Sequence, residues 1–318
     1  MKIMNKVMLL FIGVLLVLSF GCSSDTNNTT TTSSGAFIGG TKGLDLSFLS
    51  GAPPDSVFDS NYSFSVNIKA ENVGEWDVPK DKVTFTMTGI NPSDFGLTTA
   101  DMTKHPDDDL SKTQKDPNGN VIQGGISNIE FSNLEYASTV NGQVQFNLKA
   151  EACYAYGTKT QTQLCVAKDL LNKNGEQGVC NPNEVKNVEN SGAPVQIVSN
   201  SFHESVIGSN KISFDFNIKH VGLGSVYEPS TSCNADVAHR NKVYVKVIDP
   251  ELGQLSCSGL DGGTLEGLVT LYNGERSVRC TLSVDSDKLQ DYEKVLNMEL
   301  TYDYKDSVEK SLIVKQGS

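Results

Sequence analysis

The stretch CYAYGTKTQTQLCV, residues Cys153–Val166, decides the fold together with a second version of itself, TYDYKDSVEKSLIV, residues Thr301–Val314. Each version has a Tyr-x-Tyr motif, then a polar stretch and then an apolar run. A shift of 148 residues, which places Tyr154 on Tyr302, also aligns the second tyrosine of each motif. The polar stretch of the first version predicts a turn near Lys159. Each version is therefore predicted to form a β-hairpin.

Three more pairs of segments match in the same order along the chain. SGAPP matches SGAPV, FSVNIKAENVGEWDV matches FDFNIKHVGLGSV with a two-residue gap, and DKVTFTM matches NKVYVKV. Apolar residues alternate with polar ones within them, which is typical of strands with one buried face. The sequence predicts an all-β protein with two copies of one domain, each of six or seven strands. That number favours two tandem immunoglobulin-like or fibronectin-like β-sandwiches over a barrel.

The N-terminal residues predict export and a membrane anchor. The apolar run Val7–Phe20 is shorter than the roughly 20 residues of a spanning helix and suits a signal segment. Gly21 and Cys22 then precede a polar stretch, which is similar to a prokaryotic lipoprotein cleavage site with Cys22 as the lipidated residue. Ordinary signal cleavage and an uncleaved short anchor are the alternatives. The predicted division is residues 1–21 as signal segment, 22–35 as Ser/Thr/Asn tether, 36–185 as first domain and 186–318 as second domain.

The motifs of this chain resemble those of uncharacterised archaeal and bacterial envelope proteins with tandem immunoglobulin-like, cell-adhesion-related domains. The resemblance rests on NVG and HVG between matched strands, on GGTKGLDLSFLSGAPPDSVFD, and on the later CYAYGT and GAPV. It covers nearly all of the predicted exported region. It implies a sandwich architecture and an envelope location, and it implies no catalytic chemistry.

The charge of the chain excludes some classes of partner. Its formal net charge is −12, and removal of Lys2 and Lys6 with the signal segment would make it −14. Nucleic acid and anionic lipid surfaces both require a cationic surface for direct binding. We therefore expect no nucleic-acid partner, and contact with the membrane only through the N-terminal lipid or short anchor.

Six cysteines follow the tether, and an oxidising compartment predicts that they form disulfides. Cys153 and Cys165 share one face of the predicted hairpin, so we expect them to bridge it. Cys257 and Cys280 are expected to form a buried bridge in the second copy. This leaves Cys180 with Cys233 as a bridge between copies, and Cys165 with Cys180 as the alternative. No C-x-x-C spacing occurs, so a zinc site is not expected.

The sequence offers little that suggests catalysis. Its four histidines stand apart from one another, and no G-x-S-x-G, H-E-x-x-H or glycine-rich phosphate loop occurs. We therefore expect a protein that is not an enzyme, with no catalytic residues and no cofactor.

A long insertion between the matched strands, residues 89–125, is the candidate binding loop, because long loops on rigid sandwiches often carry binding sites. Its acidic residues could bind calcium, although they lack EF-hand spacing and a solvated loop is the favoured reading. The only tryptophan would be the platform for a sugar, although a core position is more usual for a lone tryptophan. The candidate residues are Trp76, Asp107, Asp108, Asp109, Asp116 and Asn118.

The sequence thus predicts a non-enzymatic, membrane-anchored protein exposed on the outer side of the cell envelope, acting in adhesion or in surface scaffolding. Its expected partner is an envelope protein or a glycan. The alternative function is a glycan- or solute-binding surface lipoprotein.

Overall fold

The chain is described by a computed structural model over residues 35–59, 62–172 and 178–317. The elements in these residues are β-strands and short 3-10 turns, with no α-helix among them. The first ten strands are β1 (Leu44–Phe48), β2 (Ser56–Phe58), β3 (Ser63–Asn72), β4 (Val83–Thr88), β5 (Thr103–Lys104), β6 (Gln114–Lys115), β7 (Val121–Ile122), β8 (Ile126–Glu135), β9 (Gln143–Val166) and β10 (Val185–Lys186). The next ten are β11 (Glu189–Asn190), β12 (Val195–Ile197), β13 (Phe202–Gly208), β14 (Lys211–His220), β15 (Ser225–Tyr227), β16 (Lys242–Val247), β17 (Gly253–Ser258), β18 (Glu266–Thr270), β19 (Glu275–Val284) and β20 (Tyr292–Lys315). The 3-10 turns are Lys80–Lys82, Pro92–Phe95, Ala100–Met102, Ser199–Ser201, Val237–His239 and Ser286–Lys288.

The two Tyr-x-Tyr segments lie in the middle of two long strands, β9 and β20, which are each 24 residues long. These strands pair antiparallel over their whole length. Tyr154 lies opposite Tyr304, and Tyr156 lies opposite Tyr302. The 148-residue shift matches Tyr154 with Tyr302 and Tyr156 with Tyr304, so each opposed pair corresponds to the other one. The strands β9 and β20 are therefore related by an approximate two-fold axis.

The predicted hairpins are wrong, because no turn occurs near Lys159 and the strand continues through it. The threonines that suggested a polar turn point into the protein. Thr158 donates to Val195 O, Thr160 donates to Met298 O and Thr162 donates to Asn187 O. Each buried hydroxyl therefore has an acceptor, and the branched side chain suits a strand.

Three sheets of the structure share one hydrophobic core. The largest has nine strands, with β18-β16-β20-β9-β4-β5 in order and β2, β11 and β15 at its edges. One smaller sheet, β1-β3-β8, belongs to the first half of the chain (residues 35–185). The other, β10-β13-β14-β19-β17 with β12, belongs almost wholly to the second half (residues 186–317).

Both smaller sheets cover the same face of the nine-stranded sheet. Even-numbered residues of β9 from Leu148 to Val166 are buried, and so are most even-numbered residues of β20. Residues that pair between these strands have the same parity, so all of these side chains lie on one face. The result is a β-sandwich-like fold in which two halves share one continuous sheet. All described residues belong to one compact unit.

The disulfides only partly agree with the sequence predictions. Cys257 bonds to Cys280 as expected, between β17 and β19. The expected bridge between Cys153 and Cys165 is wrong, because these residues lie twelve positions apart on one strand, or about 40 Å at 3.3 Å per residue. Cys153 bonds to Cys233, and Cys165 bonds to Cys180. The expected pair Cys180–Cys233 is therefore also wrong, and the alternative Cys165–Cys180 occurs.

Candidate functional site

The centre of the seam, the line along β9 and β20 where the two halves meet, is filled by four tyrosines. All four side chains are buried. The ring of Tyr154 lies 5.6 Å from that of Tyr156 and 5.8 Å from that of Tyr304, and Tyr302 completes the group at 6.3 Å from Tyr304. Aromatic pairs at these distances stabilise a fold beyond the area they bury.

The tyrosine hydroxyls tie the shared sheet to both smaller sheets. Tyr154 accepts a hydrogen bond from Leu44 N at 3.1 Å, and Tyr302 accepts one from Val195 N at 3.3 Å. Burial raises the pKa of Tyr304 to about 12 and raises the pKa values of Tyr154 and Tyr302 well above the usual value. The hydroxyls therefore stay neutral at physiological pH, which suits a structural cluster and not a catalytic base.

A loop of the second half is held by a carboxylate of its own half and is linked across the seam by a disulfide. Asp303, which is only 3% exposed, accepts hydrogen bonds from the N–H groups of Ser230 (3.1 Å), Thr231 (2.8 Å) and Ser232 (2.7 Å). The next residue of this loop is Cys233, bonded to Cys153 of the first half. Sequence reasoning missed Asp303. The sequence feature that could have identified Asp303 is the difference between the two copies, because the matching residue of the first copy is Ala155.

A second carboxylate holds the start of the described chain against the seam. Glu75 accepts hydrogen bonds from Ile38 N (3.0 Å) and Gly39 N (2.9 Å), and also from Gly192 N (2.6 Å) at the start of the second half. Ala36 N donates to Glu189 in the same region. The segment that follows the predicted tether is thus bound to both halves. The sequence analysis did not identify Glu75 either.

Trp76 lies on the outer face of β9, the face that the smaller sheets leave uncovered. An added Cβ on Gly157 would come within 2.8 Å of three atoms of the indole ring, so the ring rests directly on the backbone there. Lys159 Nζ is 5.8 Å from the ring centroid, close enough for a cation–π contact. The neighbouring Asp77 carboxylate lies 3.3 Å from Lys112 Nζ. Trp76 is therefore half-buried, with charged groups around it.

The acidic residues of the candidate binding loop are bound in two separate places. Asp109 accepts from Lys80 N at 2.9 Å, while the backbone oxygen of Asp107 accepts from Lys80 Nζ at 2.8 Å. Asp116 accepts from Asn118 N and Asn120 N, both at 2.8 Å, within the turn between β6 and β7. The Asn120 side-chain amide also donates to the Asp116 carboxylate at 2.8 Å, and this bond, with the backbone ones, holds the pKa of Asp116 below its usual value.

Asp108 lies between these positions on the exposed surface. Within residues 35–59, 62–172 and 178–317, no group of three or more histidine, cysteine or acidic residues is arranged to hold a metal ion. The insertion is also partly core, because Phe95 is buried within 5.0 Å of the ring of Phe146.

A buried carboxylate lies beside the Cys165–Cys180 disulfide. Glu204 is 2% exposed, and both of its oxygens accept from Cys165 N, at 3.0 and 3.1 Å. Lys186 Nζ is 3.9 Å away and also bonds to Glu184 and to Asn181 O. Burial outweighs these contacts and raises the pKa of Glu204 to about 8.

Three of the four described histidines make side-chain contacts, in different parts of the chain. His105 Nδ1 lies 2.7 Å from Val83 O, and His220 Nε2 lies 3.1 Å from the Tyr304 hydroxyl. Burial lowers the pKa of His220. His239 Nδ1 lies 2.8 Å from Glu228 at the surface.

The disulfides indicate the compartment of the protein. Three disulfides are typical of an extracytoplasmic protein. In the described part of the chain, no helix has the length and apolar character needed to cross a membrane. Cys22, the predicted lipidation site, lies outside the described residues.

Comparison with known proteins adds little to this picture. No family model matches the chain, and no curated protein matches its sequence significantly. Among the solved structures that match is the secreted serine protease VesC from Vibrio cholerae, at 13% identity and a TM-score of 0.17. The match covers 82% of this chain and 50% of that protein. At this TM-score the similarity carries no argument about fold or function.

Proposed function

We propose that this protein is an exported, membrane-anchored envelope protein that works without catalysis, in adhesion or in scaffolding of the cell surface. In this proposal residues 36–185 and 186–318 are two immunoglobulin-like sandwiches that arose by duplication, as in the envelope proteins that the sequence resembles. The observation that carries the proposal is the unbroken pairing of β9 with β20, which joins both halves into one sheet.

This pairing suits a protein that transmits force. Separation of the halves would require the hydrogen bonds along 24 paired residues to break, and the four buried tyrosines to be exposed. The Cys153–Cys233 disulfide adds a covalent connection between the halves. An adhesive or scaffolding protein gains from such rigidity, because a rigid body passes load from its partner to its anchor without unfolding.

The position of the N-terminal segment also supports an anchored protein. Lys115 Nζ donates to the backbone oxygens of Gly35 and Phe37, both at 2.7 Å. Together with Glu75, these bonds attach the segment after the predicted tether to the seam. Load from a lipid on Cys22 would therefore enter where the two halves are joined. Cys22→Ser should release the protein into the medium or leave its precursor uncleaved, and unchanged membrane retention of a cleaved protein would contradict the lipid anchor.

The partner can be sought by crosslinking on intact cells, followed by mass spectrometry. We expect crosslinks from exposed lysines of this protein to a small set of envelope proteins or to surface glycan. The control is a soluble version secreted without the anchor at the same level, which should lose most of these crosslinks. Equal crosslinking of both versions to abundant unrelated proteins would contradict a specific envelope role.

Glycan binding is the second candidate function, and the position of Trp76 favours it. An indole ring lying on a strand beside Asp77, Lys112 and Lys159 combines an aromatic surface with polar groups that can bond to sugar hydroxyls. A glycan array should then show saturable binding that Trp76→Ala abolishes. Tyr272→Ala, which removes another exposed aromatic ring, is the matched control and should have no effect.

A further inference from the structure

The two ends of the seam are counterparts, but only one of them is closed. Gly43 O accepts from the N–H groups of residues 73–74 at 3.0 and 3.1 Å. Pro194 O accepts from those of residues 221–222 at 2.8 and 3.1 Å. These identical arrangements show that the NVG and HVG loops occupy matching places in the two halves.

The first end is closed by hydrogen bonds in both directions. Glu75 N donates to Gly192 O at 3.0 Å, and Gly192 N donates to the Glu75 carboxylate at 2.6 Å. Thr158 Oγ1 donates to Val195 O at 2.5 Å. These bonds bring the start of the second half against the first half.

The second end cannot close in this way, because the two bonding side chains are replaced. Leu223 is the counterpart of Glu75 and has no acceptor group. Asp306 is the counterpart of Thr158, and its side chain takes the part of an acceptor, since its Oδ1 accepts from Ser307 N at 2.8 Å. A pocket of about 250 Å³ lies here between Lys42, Leu223 and Asp306. Leu223 is 95% exposed beside it.

The edge of β20 next to this pocket has no strand partner within the described residues. β15 pairs with β20 only as far as Lys305, and β2 pairs with it only from Ile313. Odd-numbered residues of β20 direct their backbone groups away from β9, as shown by Asn297 O accepting from Ile248 N and by Ile313 N donating to Asp55 O. Glu309 therefore presents its N–H and C=O groups outward at a free sheet edge.

The matching edge of the first half is covered by a strand of the chain itself. Gln161, the counterpart of Glu309, pairs with Glu189 of β11. Lys159 O accepts from Ser191 N at 2.8 Å just beyond this pair. The fold therefore contains an example of an extended segment seated on this type of edge.

The geometry points to a peptide-binding groove, formed by the β20 edge at residues 306–311 and by the pocket beside Leu223. Its occupant is an extended polypeptide segment of a partner protein, which adds as an antiparallel strand as β11 does on β9. An apolar side chain of the segment packs on Leu223, which is otherwise left in solvent. This inference rests on the proposed adhesive or scaffolding function and names the chemistry of its partner.

A synthetic peptide tests the groove directly. The probe is KNVENSVA, the sequence of residues 186–193 that covers the matching edge with valine in place of Gly192, because Gly192 contacts Glu75 and its place in the peptide should face Leu223. It is labelled for fluorescence anisotropy and added to the purified full chain with its disulfides intact. We expect weak, saturable binding. Hydrogen–deuterium exchange should slow at residues 307–311 as the peptide saturates. The same peptide with N-methyl groups on alternate backbone nitrogens cannot pair and should not bind.

Two variants locate the binding. Glu309→Pro removes an outward N–H at an edge position where proline is tolerated, and should weaken binding about tenfold without unfolding the protein. Leu223→Ala should also weaken it, whereas Val237→Ala, which removes an exposed apolar side chain elsewhere, should not. Absence of saturable binding at millimolar peptide, protection outside residues 306–311, or equal binding by Glu309→Pro would each overturn the proposal. Because the assay uses purified protein, its result is separate from that of crosslinking on cells.

Discussion

Removal of the disulfide between the halves, by Cys153→Ala with Cys233→Ala, should lower the stability of the whole protein in one step. The bridge joins residues 80 positions apart, and the Cys165–Cys180 bridge shortens that loop by 15. For a loop of about 65 residues, chain entropy assigns the bridge about 4.3 kcal/mol. The loop that carries Cys233 keeps its bonds to Asp303, so the folded state should change little.

The assay for this prediction is calorimetric unfolding. About 290 residues carry an unfolding entropy of about 0.6 kcal/mol/K, so the midpoint should fall by about 7 °C. Cys165→Ala with Cys180→Ala is the matched control; its 15-residue separation assigns it about 3 kcal/mol and a fall of about 5 °C. Because both halves share one sheet, each variant should show a single transition. Two separate transitions, only one of which shifts, would refute the reasoning.

Three further substitutions probe individual contacts. Asp303→Ala removes the acceptor for three N–H groups of residues 230–232 and should cost about 3 kcal/mol in urea unfolding; a change below about 0.5 kcal/mol would show that water replaces the carboxylate. Burial raises the pKa of Glu204 from 4.5 to about 8, so between these values the folded protein holds a proton that the unfolded chain releases. Stability should therefore fall as pH rises through this window, by up to about 1.4 kcal/mol per pH unit, and Glu204→Gln should flatten that slope; an unchanged slope would contradict the raised pKa. Gly157→Ala places a methyl group against the Trp76 ring, so it should shift the emission of this single tryptophan to longer wavelength and destabilise the fold by about 1–3 kcal/mol; identical emission would contradict the packing.

Alternation of apolar residues predicted the matched strands β3, β4, β14 and β16 and parts of β9 and β20. It also placed Cys153 and Cys165 correctly on one face, since both are odd-numbered residues of β9. The mistake concerned the turn between them, because a run of threonine, lysine and glutamine has the same polarity in a turn as in a strand. Whether such a run forms a turn or a buried strand depends on whether the threonine hydroxyls find acceptors inside the protein. Two of these acceptors, Val195 O and Met298 O, lie in the other half of the chain.

The candidate site was also harder to predict, because its contacts join residues that are far apart in the sequence. Trp76 and the acidic residues at 107–109 were grouped by their place in the sequence, whereas the structure holds them in separate contacts. Glu75 and Asp303 were missed because a single carboxylate beside a motif carries no pattern of its own. Both differ in type from their counterparts, Leu223 and Ala155. A position-by-position comparison of the two copies is therefore the signal that identifies them.

The same comparison explains why only the first copy has cysteines in its Tyr-x-Tyr segment. Near a two-fold axis, a bridge across the seam needs one cysteine from each half, and Cys153 supplies the one from the first half. Its counterpart, Thr301, would need a matching loop from the first half, but that half places Trp76 on Gly157 at the equivalent surface. The two sides of the seam are thus held by different means, one by a disulfide-linked loop and the other by an aromatic ring. Because their contacts differ, one end of the seam is closed by Glu75, while the end beside Leu223 stays open to a partner.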